Sequence, residues 1–552
     1  MKKRKRTKML IGVVVTGVTV SALIWAKLNV SSLPGKKGLE APIDPPLFNE
    51  VSVHDPSIIK VDSMYYVFGT HVEAARSPDL ISWSRFSNGY KTPDNILYGD
   101  LSENLAESFK WAGENDADSK GGFAVWAPEV FWNKDYLNDD GSKGAYMLYY
   151  SASSTYMRSA IGYAVSMEIE GPYQYVDTMV YSGFTKKEAY DQNSEVNKKW
   201  TNTNIQSLID KGFIEEENQK WFNGDGSFNN QQYPNAIDAN LFYDEDERLW
   251  MTYGSWSGGI FIVELDKETG GMIYPREDGE TEDGRLIDRY FGTKIAGGYG
   301  KSGEGPYVKY DRDYGYYYLF MTYGWLGVDG GYNMRVFRST EPEGPYLDVK
   351  GQNAVLSGNI ENSSIGNKLM GNFKFEKKAG DRKTGQGWGY ASPGHNSVFF
   401  DKDTGDKWIV FHTRFPNKGE RYELRVHRLM MNSAGWPVIA PFRYAGETLE
   451  KLEERDVRGS FQLINHGMDN STEIKGSKEI LLEKNGIVSG DINGTWSFKE
   501  PNTIEIEMNG IIYDGFVLKQ WDQELRDWNI TFTASSNQGV SIWGNQIPIK
   551  SK

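Results

Sequence analysis

The chain has no cysteine among its 552 residues. Disulfides, thiolate metal sites and cysteine nucleophiles are therefore excluded, and so is a lipid anchor on an N-terminal cysteine. Positive charge is missing from the body. The net charge is −14, yet six positives crowd the first eight residues (Lys2, Lys3, Arg4, Lys5, Arg6, Lys8), which leaves −20 for the remainder. Such a body repels phosphate backbones, so no nucleic-acid partner is expected, whereas neutral substrates and bound cations are compatible with it. Helical periodicity is scarce after residue 50. What is abundant is aromatic: 17 Trp, 33 Tyr and 26 Phe, with 60 Gly. That mixture excludes disorder as the main state. It suits many short strands joined by turns, and it suits sugar-stacking surfaces equally well. A chain of this length is expected to hold two or three domains.

The basic head is followed by an uncharged run, Met9 to Ala26. A basic head before an apolar run is an export signal. The run is long for a cleaved segment and short for a membrane span, and no A-x-A cleavage pattern follows it. Residues 1–28 are thus read as a signal peptide or an uncleaved anchor, and 29–47 as a linker. The body is expected outside the membrane in either case.

One unit recurs five times. It opens with a polar or ionisable residue, carries apolar residues three and four positions on, turns, and continues into an aromatic strand. The openings are Asp55-Pro-Ser-Ile-Ile, Ala127-Pro-Glu-Val-Phe, Asp238-Ala-Asn-Leu-Phe, Glu304-Gly-Pro-Tyr-Val and His395-Asn-Ser-Val-Phe, spaced 72, 111, 66 and 91 residues apart. The following strands include MYYVFGT, AYMLYYSAS and YYYLFMTYGW. Insertions fall between units. The largest, about residues 178–235, contains a helical-looking NIQSLIDKGF. Repeats of several short strands at such intervals predict a five-bladed β-propeller over 48–445, with a β-sandwich array as the alternative. In a propeller the first strand of each blade lines the axis. Asp55, Asp238, Glu304 and His395 would then converge on one axial pocket. Acids are also common in turns, but four ionisable residues at one register are poorly explained by turns alone.

Two opposed carboxylates are the minimum machinery for glycoside cleavage, one protonating the leaving oxygen and the other activating water. A third carboxylate nearby raises the pKa of the acid. A separation of roughly 6.5–9.5 Å leaves room for water and gives inversion. His395 on the same axis is an anchor for an oxygen-loving cation or, equally, a hydrogen-bonded pocket histidine. DKDTGD at 401–406 lacks the bidentate Glu of a calcium loop and reads as a hairpin turn, as does DEDER at 244–248.

HDPSI at 54–58, WAPEV at 126–130, IDANLF at 237–242, GEGPY at 303–307 and SPGHNS at 392–397 together resemble glycoside hydrolase family 43. They are most similar to its secreted endo-α-1,5-L-arabinanases, which are five-bladed propellers. The similarity runs from about residue 48 to 445. It implies Asp55 as general base, Glu304 as general acid, Asp238 as the group that tunes and orients the acid, His395 at an axial calcium ion, and single-displacement inversion. Residues 446–552 alternate like antiparallel strands and resemble the small C-terminal β-barrel of one group of secreted arabinanases, with a capping role favoured over binding. The substrate implied is arabinan or its oligosaccharides. A monomer is expected, and membrane contact only through the N-terminal segment. Trp126, Trp256 and Trp325 lie beside repeat landmarks and are candidates for stacking on sugar rings, although blade cores need aromatics too. Two other readings stand beside the endo-acting one: an exo-acting arabinofuranosidase or β-xylosidase on the same scaffold, and a non-catalytic sugar-binding propeller.

Overall fold

The aromatic strands assemble into five four- to six-stranded sheets and one closed barrel in a computed structural model that describes residues 45–89, 94–113, 125–301, 303–377, 387–499 and 501–548. The export segment 1–28 lies outside the described residues. Among those described, no helix is long and apolar enough to cross a membrane. Helix is confined to short pieces such as Ala106–Ala112 and Ile205–Asp210, the latter being the helical-looking part of the insertion.

The five sheets are the blades of a β-propeller. Each starts with an inner strand: Ser57–Val61, Val125–Leu137, Asn240–Tyr243, Glu304–Asp311 and the second half of Gly387–Phe400. The neighbouring second strands are almost wholly buried, as in Leu249–Tyr253 and Lys407–Arg414. Both faces of a blade press on adjacent blades, so these strands have no polar side and read as continuous apolar and aromatic runs. Burial of each large side chain contributes roughly 1.5–3 kcal/mol.

The hydrophobic clusters lie between blades. Met147 and Tyr149 of blade two meet Leu241 and Met251 of blade three, and the insertion adds Phe184 and Trp221 to the same core. The ring closes by packing: Val53, Ile58 and Val67 of blade one meet Trp408, Val410 and Val426 of blade five. The Leu424 N–H donates to the Val51 carbonyl at 2.9 Å beside that seam.

The barrel has eight strands, from Gly459–Asn465 to Ser541–Gln546. It is joined to blade five by a short parallel pairing of Lys475 and Gly476 with Phe373 and Lys374. Its Ile464 and Trp543 sit in one core with Phe373, Trp388 and Phe442.

Direction of the strands sorts the loops. The inner strands begin at the mouth, so the turns between first and second strands, including Asp401–Asp406, lie at the opposite end. Turns between second and third strands share the mouth. They include Tyr156–Met157, Gly254–Gly259 and Gly324–Tyr332, and the Trp256 N–H at the second of them donates to the Gly303 carbonyl at 2.7 Å, beside Glu304. The DKDTGD and DEDER segments are both turns, capped by Asp401 and Asp244 carboxylates that accept backbone N–H groups.

Candidate active site

A left-handed residue opens every inner strand: Asp55 (φ 52°), Ala127 (φ 33°), Asp238 (φ 62°), Gly305 (φ 60°) and His395 (φ 46°). In blades two, four and five this residue sits at a local irregularity of the ladder. Pairing jumps from Trp126–Ser151 to Glu129–Tyr149 in blade two and from Glu304–Thr322 to Tyr307–Phe320 in blade four. Bulges of this kind re-aim side chains next to active sites. They are held by a ring of hydrogen bonds from one blade to the next. The Ala127 N–H donates to Thr70 Oγ1 (2.9 Å), Asp238 N–H to Ser151 Oγ (3.0 Å), His395 N–H to Thr322 Oγ1 (2.7 Å) and Asp55 N–H to His412 Nδ1 (3.2 Å). The equivalent position of blade three is Gly254, which has no side chain. There the Asp238 carboxylate itself accepts the Gly305 N–H at 3.1 Å.

This ring corrects the expected register in one blade. Asp55, Asp238 and His395 occupy the axial position, as read from sequence, but the fourth axial residue is Gly305. Glu304 precedes it and matches Trp126 and Gly394 of other blades. The apolar spacing pointed to the wrong register, because three and four positions on from Glu304 lie Tyr307 and Val308, whereas from Gly305 they are Val308 and the charged Lys309. Gly305 is required at its place: a Cβ there would lie 3.0 Å from the His395 ring in an already left-handed backbone. Glu304 reaches the Ser255 hydroxyl, which donates to Oε2 at 2.9 Å.

The carboxylates occupy contrasting electrostatic environments. Burial alone would push Asp55 upward, but His395, His54 and His412 overcome it and hold the carboxyl well below its usual range. His395 Nδ1 lies 3.1 Å from Oδ1. His54 Nδ1 lies 2.8 Å from Oδ2, off the line of a good hydrogen bond. Thr70 Oγ1 donates to the same oxygen. Glu304 is raised to about 7, first by burial and then by the Asp238 charge. Asp238 is raised to about 8, by burial and then by Asp55. Glu304 and Asp238 titrate as a coupled pair that retains a proton near neutrality, while Asp55 is ionised. Carboxyls driven apart in this way are suited to opposite roles in proton transfer.

Below the mouth lies a small cavity of about 20 Å³, lined by Asp55, Glu129, Asp238, His395 and Asn396. Glu129 is fully enclosed and raised to about 7 by burial; its Oε1 accepts from Asn240 Nδ2 at 3.2 Å. Asn396 Oδ1 and Nδ2 are buried without a hydrogen-bond partner. An orphaned amide oxygen and an imidazole facing carboxylates fit a hard cation or an ordered water better than an apolar void. Among the described residues, the one group of His, Asp or Glu whose ligand atoms all lie within 4.8 Å of one another is His54, Asp55 and His412. The Nδ1 lone pair of His412 is already taken by the Asp55 N–H. Sequence reasoning missed Glu129, Asn240 and His412. The two-residue step from each axial position marks the first pair, and the end of the second strand marks His412.

The three tryptophans are all at the mouth. Trp126 is half-buried, donates from Nε1 to the Ser153 carbonyl at 3.2 Å and lies 4.7 Å from the His71 ring. Trp256 and Trp325 stack on each other, with centroids 4.8 Å apart and planes 13° apart, and Trp325 is 67 % exposed.

Residues 215–437 match the model for glycosyl hydrolases family 43, and residues 441–544 match that of a C-terminal lipocalin-like domain. An extracellular endo-alpha-(1->5)-L-arabinanase 2 of Bacillus subtilis is 38 % identical over 512 residues, covering 91 % of this chain and 94 % of its own. An extracellular endo-alpha-(1->5)-L-arabinanase of Thermotoga petrophila is 40 % identical over 511 residues, covering 91 % and 95 %. A solved structure of the endo-1,5-alpha-L-arabinanase of Thermotoga petrophila superposes with a TM-score of 0.74 at 39 % identity, covering 91 % of this chain and 100 % of that one.

Proposed function

The chain belongs to glycosyl hydrolase family 43, and from that premise we propose that it is a secreted endo-arabinanase cleaving internal α-1,5-L-arabinofuranosidic bonds with inversion. The observation that carries this reading is the divergence of Asp55 and Glu304 on a single axial mouth, one held well below the usual carboxylate range and the other raised to about 7. Asp55 acts as general base. It takes a proton from water as the water oxygen bonds to the anomeric carbon. Glu304 gives its proton to the departing O5, so the glycosidic bond breaks without an alkoxide leaving. Asp238 holds the Gly305 N–H and, through its charge, keeps the proton on Glu304. Trp126, Trp256 and Trp325 offer ring faces or edges for sugar at the mouth.

His395 and Asn396 would hold a calcium ion in the shaft, largely through water. When bound, the ion supplies positive charge next to the histidine. The extracellular relatives support secretion through residues 1–28.

The test is the time course of products from debranched arabinan. Oligosaccharides should appear before arabinose. Arabinose alone would favour the exo-acting alternative, and no product the non-catalytic one. Added chelator is expected to slow the reaction and calcium to restore it; an unchanged rate would remove the ion from the account.

Asp238→Asn is expected to move the alkaline limb of kcat/KM toward acid. The charge that raises Glu304 is gone in this variant, so the general acid loses its proton at lower pH. Asparagine keeps an oxygen for the Gly305 N–H. A limb that stays near pH 7 would remove Asp238 from the control of Glu304.

A further inference from the structure

The mouth carries a second cavity away from the axis. It has a volume of about 240 Å³ and lies between the Tyr156–Arg158 turn of blade two and the long insertion. The two walls are one hydrogen-bonded unit. Ser182 Oγ donates to the Met157 carbonyl at 2.8 Å and accepts the Ala236 N–H at 2.9 Å, two residues before Asp238. Gly183 lets the insertion approach this closely, because a Cβ would lie 2.3 Å from the Met157 carbonyl oxygen. The same hairpin anchors Trp126 through the Ser153 carbonyl. The cavity is thereby tied on one side to the residue after which blade three turns into the site, and on the other to the aromatic at the axial mouth.

Its chemistry is that of a neutral polyol site. The charges in it are already matched: Asp191 accepts from Arg158 Nη1 at 2.6 Å and from Lys198 Nζ at 2.5 Å. What remains on offer is neutral. Tyr156 is 61 % exposed, and its ring is therefore a free platform. Ser227 and Asn230 line the insertion side; the Ser227 hydroxyl already donates to Asp225 Oδ1 at 2.6 Å and accepts from Asn223 Nδ2 at 3.0 Å, whereas no protein partner of the Asn230 side-chain amide occurs among the described residues. An exposed aromatic beside a free amide binds an uncharged sugar by stacking and hydrogen bonds.

We propose that this cavity is a remote subsite that holds an arabinofuranosyl unit of the polymer several residues from the bond being cleaved, with Tyr156 as its stacking platform. The proposal rests on the arabinanase reading. It assigns the insertion a role in grip on long chains.

The experiment compares wild type, Tyr156→Ala and Tyr156→Phe on debranched arabinan and on an arabino-oligosaccharide series, with binding of arabinohexaose measured by calorimetry in a Glu304→Gln background. Tyr156→Ala should raise KM on the polymer about fivefold, the scale of one aromatic contact, with kcat nearly retained and a loss that shrinks as the substrate shortens. Arabinohexaose affinity should fall by the same factor, and Tyr156→Phe should restore both. Tyr190→Ala, an exposed tyrosine of the insertion outside the cavity, should leave both constants unchanged. Equal losses at every chain length, or unchanged hexaose affinity in Tyr156→Ala, would overturn the subsite. A wild type that binds hexaose but leaves arabinan intact would overturn the hydrolase reading and leave the binding comparison decisive for the subsite.

Discussion

Glu304→Gln is expected to lower kcat on linear arabinan about 10³-fold, the usual reach of a positioned general acid. The substitution preserves shape and the oxygen that accepts from Ser255, but it removes the proton held near neutrality by burial and by Asp238. The loss should depend on the leaving group. An aryl arabino-oligoside that releases a stabilised phenolate needs no proton, so the variant should approach wild-type rate on it. The wild-type decline in kcat/KM above about pH 7 should vanish with that substrate. Steady-state kinetics on both substrates across pH provide the check. An equal loss on both would mean that Glu304 does something other than protonate.

Asp55→Gly should be more damaging still, about 10³ to 10⁴-fold, and on every leaving group, because activation of water is needed whatever departs. Glycine is the informative replacement here. The residue has φ 52°, a left-handed conformation that glycine adopts at no steric cost, so the backbone bulge should survive. The space left by the carboxylate admits a small anion. Azide at high concentration should recover turnover in Asp55→Gly and have no such effect on Glu304→Gln. Retained hydrolysis in Asp55→Gly without azide would transfer the base to another residue. Because three histidines hold Asp55 ionised, the wild-type acid limb should lie well below the ordinary carboxylate range.

Much of this was legible in the sequence. The repeat of a polar opening, two apolar residues and an aromatic strand gave the five blades, because strands packed on both faces carry no polar alternation to confuse the pattern. Asp55, Asp238 and His395 fell into place for the same reason. Glu304 was found as a residue but misplaced by one position, since the true register puts the charged Lys309 where the other blades carry an apolar residue, and the left-handed backbone at Gly305 marks that register. One of the histidines around Asp55 was invisible: His412 lies 357 residues away along the chain and meets it only through closure of the ring. The cavity beside Tyr156 was equally hidden, because its two walls are joined by Ser182 in a segment with no periodic signal.

The axial ring carries one further lesson. All five units share a backbone kink and a handhold from the blade before, yet the copies differ at single points: an alanine in place of an ionisable group at 127, a missing hydroxyl at 254, a one-residue slip at 304 and 305. A duplicated module of this sort becomes an enzyme by losing its symmetry at single points, while the packing between copies is left alone. Evolution or engineering can therefore rewrite the rim one copy at a time without rebuilding the scaffold beneath it.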